Sequence, residues 1–196
     1  ISENYPSKLS IHTNAHALAR YSAVVQECNM VPIVEPEVLM DGDHSAKDCY
    51  QKTSEVIKKC FDELIFHKVD LKGIILKPNM ILAGNTSKDK ISGEEVAKLT
   101  LECLKNSVPS EVPGIAFLSG GQSEIEATEN LNLINKNNNT GFIISYSYGR
   151  ALQQSALKFW SNDIKNFKGT QDIFNHRAKM CSLAAKGKWS KELENK

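Results

Sequence analysis

The residues most able to do chemistry follow four apolar runs. Val31-Pro32-Ile33-Val34 ends in Glu35-Pro36-Glu37, and Gly73-Ile74-Ile75-Leu76 ends in Lys77-Pro78-Asn79. Gly114-Ile115-Ala116-Phe117-Leu118 ends in Ser119-Gly120-Gly121, and Phe142-Ile143-Ile144-Ser145-Tyr146 ends in Ser147-Tyr148-Gly149-Arg150. An amine emerging from a packed apolar wall is partly desolvated, which favours its neutral form and frees the nitrogen lone pair to attack a carbonyl. Lys77 stands in such a place and is a candidate Schiff-base lysine. Imine formation needs a carboxyl group that gives a proton to the departing hydroxyl and takes one back, a task for Glu35 with Glu37 close by. The plainer alternative is a lysine snorkelling from a strand end to an ion-pair partner.

The other two run ends suit an anion. Ser119-Gly120-Gly121 lies between an apolar run and a helix start, where free backbone N–H groups and the helix dipole favour phosphate. Leu118 and Ser147 border the two loops, and Gly149-Arg150 adds a backbone donor and a guanidinium fork. Glycines at one such position are often turn punctuation, whereas two loops on adjacent strands favour the phosphate reading. His12 and His16 stand four apart on a helical segment and could clasp a metal, but no H-E-x-x-H pattern and no third ligand adjoin them in sequence. His44 and His67 fall in or beside polar loops and are expected to be solvated. No metal is assigned to the site, and no Walker loop, dinucleotide fingerprint or zinc motif is present.

These run ends need elements to position them. Ile11, Ala15, Leu18, Ala19 and Val25 recur at helical spacing, as do Cys49, Val56, Ile57, Cys60, Leu64 and Ile65. Ser92-x-x-Glu95 and Ser123-x-x-Glu126 are capping-box patterns that open two more helices. Residues 150–160 and about 168–186 read as two closing helices. Helices thus alternate with apolar runs that show no polar alternation, as expected of parallel strands buried on both faces. In parallel α/β folds ligands bind at the C-terminal strand ends, so the four polar run ends converge on one face. Residues 1–186 read as one domain or part of one, and 187–196 as a solvated tail.

Composition excludes several classes. Of 196 residues, 41% are hydrophobic and 24% charged, a balance that supports a core rather than disorder. A net charge of +1 provides no bulk field for nucleic acid or an anionic membrane. No apolar run approaches the length of a membrane span and the start lacks signal-peptide regions, so a cytoplasmic protein is expected. Five cysteines without C-x-x-C spacing read as reduced core thiols. The start at Ile1 suggests a processed or incomplete polypeptide.

At the same residues the chain resembles class I fructose-bisphosphate aldolase. The resemblance rests on VPIVEPEVL with DGDH, LKPNM, FLSGGQSE, and SYGRALQ followed by SALKFW, in that order across nearly the whole chain. It implies a (β/α)8 TIM barrel of which this chain supplies roughly the last four βα units. It implies Lys77 as the Schiff-base lysine, Glu35 as the acid/base of imine formation and Glu37 as a supporting carboxylate. Ser119, Gly120, Gly149 and Arg150 would hold the ketose 1-phosphate, with Leu118 and Gly121 shaping the loop and Ser147 beside it. The implied reaction is metal-independent, reversible cleavage of fructose 1,6-bisphosphate to dihydroxyacetone phosphate and glyceraldehyde 3-phosphate. The implied partners are the phosphorylated ketose, the N-terminal half of the barrel and three further copies in a homotetramer. The family's aspartate near the cleaved bond, flanking lysines and second phosphate binder belong to that other half, so catalysis is not expected from these residues alone. A transaldolase-like Schiff-base enzyme and a non-catalytic scaffold fragment are the rival readings. A half-barrel would leave apolar strand residues such as Ile33, Ile75 and Phe117 without facing partners.

Overall fold

The computed structural model describes residues 1, 2 and 4–195. All four apolar runs form strands, each shorter than its run: β1 (Ile33–Val34), β2 (Ile75–Leu76), β3 (Gly114–Phe117) and β4 (Ile143–Tyr146). They pair in parallel in the order β1-β2-β3-β4, with Ile33, Ile75, Gly114 and Ile143 in one row across the sheet. Helices α1 (Lys8–Glu27), α2 (Ala46–Phe66), α3 (Gly93–Ser107) and α4 (Glu124–Asn137) alternate with the strands, and α5 (Arg150–Asn162) and α6 (Phe167–Ala184) follow β4. Strand order never reverses, so right-handed crossovers place every connecting helix on the same face. A doubly wound sheet would reverse and be covered on both sides; this arrangement is instead an arc of an α/β barrel.

Residue parity along the strands divides the two faces. Val34, Leu76, Ile115 and Ile144 form the next row and are buried under the helices, joined in the core by Ile57, Leu64, Ala97, Leu104, Leu131 and Ile134. On the opposite face Ile33 is 44% and Ile143 75% exposed. The expectation of an uncovered apolar face is met by Ile33 and, in part, by Ile75, but not by Phe117. That ring shares the parity of Ile115, lies beneath the helices and is fully buried, because a shift of one residue along a strand reverses the face.

Local signals set the helix starts. Ser7, Ser45, Ser92 and Ser123 each accept the backbone N–H three residues on, supplying one of the bonds that a helix N-terminus lacks. Ser45 and Asp48 complete a reciprocal capping box that sequence inspection did not single out. Four of the five free cysteines are buried as expected, and Cys28 is exposed. Burial pushes the Cys60 thiol up to about 12, which keeps it protonated and unreactive.

The expected solvated tail is docked instead, apart from Lys196, which lies outside the described residues. Trp189 is buried, its backbone N–H donates to Asn132 Oδ1 at 3.0 Å, and its indole N–H donates to Glu194 Oε1 at 2.6 Å. Buried Arg177 grips both oxygens of Glu194 at 2.8 Å and also donates to Thr128 Oγ1 at 3.1 Å. One aromatic ring and one bidentate ion pair outweigh the polar composition of the segment. Trp189→Ala should therefore lower stability by about 3–5 kcal/mol in denaturant titration, where a solvated tail would show less than about 0.5 kcal/mol. Burial opposes ionisation of Glu194, but the bonds from Arg177 and Trp189 prevail and hold its carboxyl below the ordinary value of 4.5. Its contribution should be complete above that value and lost as pH falls through the depressed one, a loss that Glu194→Gln should abolish.

Candidate active site

Parallel pairing of β1 and β2 brings the first two polar run ends together. The Lys77 backbone N–H donates to Val34 O at 2.7 Å, extending the ladder by one residue beyond β2. On this register Lys77 and Glu35 share the inner, helix-free face, and Lys77 Nζ lies 3.0 Å from Glu35 Oε2. The lysine side chain is 19% exposed and the glutamate 42%, so the amine is the better shielded partner. Partial burial and the charge of Glu35 raise the Glu37 carboxyl above 4.5, against the opposing pull of Lys77 and Arg150. A carboxyl raised above its ordinary value thus stands beside a carboxylate already engaged with the amine.

Buried amides hold this pair in place. Asn79 accepts the Val38 backbone N–H at 3.0 Å and donates to Thr53 Oγ1 at 3.0 Å and Met80 O at 3.1 Å. It ties the loop carrying Glu37 to α2 and to the strand end carrying Lys77. The turn before α2 is locked by Gly84, where a Cβ would come within 2.3 Å of Gly42 O. Buried His44 beside that turn corrects the expectation of a solvated ring, and burial lowers its imidazole from 6.5.

The next two run ends make the second half. Leu118 donates its N–H to Pro78 O at 3.2 Å, and Ser147 donates to Phe117 O at 2.8 Å, so both loops stay in register with the sheet. Leu118 and Ser119 are buried, Ser147 is half-buried, and Gly120 and Gly121 have φ of +59° and +82°. A Cβ at Gly121 would lie 3.3 Å from Met40 Sδ and 3.7 Å from an Arg150 terminal nitrogen, placing the guanidinium beside the glycine loop. Gly149 caps α5 without a side-chain bond, leaving the helix start to Arg150, which forms no salt bridge among the described residues. Together these groups present backbone donors, a hydroxyl and an unpaired cation on strands adjoining the amine.

Sequence reasoning missed the groups that brace this half. Buried Gln122 donates to Ser119 O at 2.9 Å and accepts from Asn130 Nδ2 at 2.7 Å, and the Tyr148 hydroxyl donates to Ala127 O at 2.9 Å. Asn79 closes one polar run end and Gln122 directly follows another, which is the available signal. Among the described residues these groups line one rim at the strand ends. A groove of about 880 Å³ between α1 and the loop after β1 reaches Glu35 and Glu37 but not Lys77, Ser119 or Arg150. Asn79→Ala strands the buried Val38 N–H, while the Thr53 hydroxyl keeps Cys49 Sγ at 3.8 Å, and should cost about 1–3 kcal/mol, measured by denaturant titration. A loss below about 0.5 kcal/mol would remove Asn79 from this bracing role.

A family model described as "Glycolytic: Fructose-bisphosphate aldolase class-I" matches residues 1–196. "Probable fructose-bisphosphate aldolase class 1" of Xanthomonas campestris pv. campestris is 48% identical over 190 residues, covering 96% of this chain and 57% of that protein. "Fructose-bisphosphate aldolase" of Dictyostelium discoideum is 45% identical over 192 residues, covering 98% and 54%. "Fructose-bisphosphate aldolase 4, cytosolic" of Arabidopsis thaliana is 47% identical over 188 residues, covering 95% and 48%. The solved fructose-bisphosphate aldolase from Plasmodium falciparum, in complex with TRAP and a small-molecule inhibitor, superposes with a TM-score of 0.92 at 43% identity, covering 94% of this chain and 53% of that one. The chain spans about half the length of the curated relatives it matches.

Proposed function

Because the chain belongs to the class I fructose-bisphosphate aldolase family, we propose that its strand-end rim forms the imine and binds the 1-phosphate in reversible cleavage of fructose 1,6-bisphosphate. The carrying observation is the 3.0 Å contact between Lys77 Nζ and Glu35 Oε2, on strands adjoining the Ser119–Gly121 and Gly149–Arg150 loops. Residues 1–186 act here as the C-terminal part of one barrel domain.

Glu35 takes the ammonium proton of Lys77, the neutral amine attacks the C2 ketone, and the carbinolamine loses its hydroxyl as water when Glu35 returns that proton. Glu37, raised by burial and by Glu35, sustains that proton supply. The iminium then accepts the electron pair of the breaking C3–C4 bond, releasing glyceraldehyde 3-phosphate and leaving an enamine. The C4 hydroxyl proton passes to a base that the resemblance places on the barrel's other half. Protonation of the enamine at C3 and hydrolysis return the free amine and dihydroxyacetone phosphate. The covalent nitrogen is itself the electron sink, so no step uses a metal. Phosphate held by Ser119, the Gly120–Gly121 backbone, Gly149 and Arg150 fixes C2 against the amine and converts binding energy into orientation. This reading places the protein in the cytoplasm, supported by the cytosolic relative, and assembles it as a homotetramer, supported by the family resemblance. No helix among the described residues is long and apolar enough to cross a membrane.

Borohydride reduction of the native protein with dihydroxyacetone phosphate should fix one adduct on the peptide containing Lys77, seen by peptide mass mapping. An adduct on any other lysine overturns the assignment. Arg150→Ala removes charge-assisted bonds of about 1.5–3 kcal/mol, so the KM for the bisphosphate should rise roughly ten- to a hundredfold. A ketose lacking the 1-phosphate should be nearly unaffected, and equal losses for both substrates would contradict the phosphate role.

A further inference from the structure

The outer helices carry a cluster that the aldol chemistry does not use. His12 and His16 on α1 meet Glu63 and His67 at the end of α2, so the third ligand absent from the sequence around the two histidines is supplied in space. His16 Nδ1 lies 3.2 Å from Glu63 Oε2, while the other oxygen, Oε1, is held by His12 Nδ1 at 3.2 Å and Lys59 Nζ at 2.7 Å. The His16 and His67 rings are edge to face with centroids 4.8 Å apart. His67, half-buried rather than solvated, bonds through Nδ1 to the Glu63 carbonyl at 2.9 Å. A carbonyl only accepts, so Nδ1 carries the proton and the lone pair of the neutral ring is at Nε2. Metal-binding histidines are oriented in this way by a carbonyl behind the ring.

We infer that His16, Glu63 and His67 form a site for a late first-row divalent metal ion of the zinc class, clamping α1 to the end of α2. One donor atom from each of the three residues lies within 4.8 Å of the others. Tetrahedral zinc with bonds of 2.0–2.1 Å needs donors about 3.4 Å apart. The His16 Nδ1 to Glu63 Oε2 distance already meets that spacing; the metal displaces the Nδ1 proton that now bridges them to solvent, a small rotation of His67 closes the set, and water completes it. Lys59 and His12 remain on Oε1 and hold the carboxylate with Oε2 facing the ion. Imidazole and carboxylate donors without thiolate suit Zn2+, Co2+ or Ni2+ better than Ca2+ or Mg2+, which take all-oxygen sets.

The test uses chelator-treated native protein in a Cys28→Ser background, which removes the one exposed thiol. Calorimetric titration at neutral pH should show one Zn2+ per chain and a zinc-dependent rise in Tm. Co2+ should give tetrahedral visible bands without a thiolate charge-transfer band. His16→Ala and His67→Ala should each weaken zinc binding at least about tenfold and abolish the Tm rise, with the metal-free circular dichroism spectrum unchanged. If either variant fails to fold, the Co2+ bands of the parent decide between nitrogen–oxygen ligation and none. Absence of stoichiometric binding, or unchanged affinity in both variants, would show that the cluster is an ion-pair network only.

Discussion

The account depends on one constraint, the parallel register that sets Lys77 beside Glu35. Strand residues alternate faces, so a slip of one position between β1 and β2 would turn the lysine under the helices and leave its charge buried without water. Burial of Val34 and Leu76 prevents that slip, since the same movement would expose two core side chains. Hydrophobic packing on one face therefore fixes the polar chemistry on the other. The next two strands repeat the logic, placing the glycine loop and Arg150 on the same rim.

The strand ends are held by neutral groups that lie behind the rim. Asn79 and Gln122 are buried amides that satisfy backbone groups of loops which have left the sheet ladder. Loops at a barrel rim cannot continue the ladder without closing the site, yet their inner backbone groups cannot remain unpaired. A side-chain amide with both a donor and an acceptor resolves that conflict at each of the two loops. The site is thus positioned by short hydrogen bonds to strands and helices, and the Lys77 side chain can remain mobile at its tip while its base is fixed.

Much of this was legible in the sequence where one local pattern decided the outcome. The apolar runs located the strands, the serine caps at Ser92 and Ser123 located two helix starts, and the polar run ends identified the residues of the rim. Three features were not legible because partners distant in the chain decide them. Phe117 lies on the helix face rather than the inner one, a parity that an unbroken apolar run does not reveal because it carries no alternation. The final segment looks like a solvated charged tail until Trp189 meets Asn132 and Glu194 meets Arg177. His12 and His16 lacked a third ligand until α2 brought Glu63 and His67 alongside them.

The central claim is that a single rim holds the reactive amine and the anion loops in one register. It is tested most directly by the crystal structure of the native protein with dihydroxyacetone phosphate bound. The account predicts continuous density from Lys77 Nζ to C2, Glu35 within hydrogen-bond reach of the imine region, and phosphate against the Ser119–Gly121 loop and the Arg150 guanidinium. An imine on another lysine, or phosphate bound away from those two loops, would contradict it.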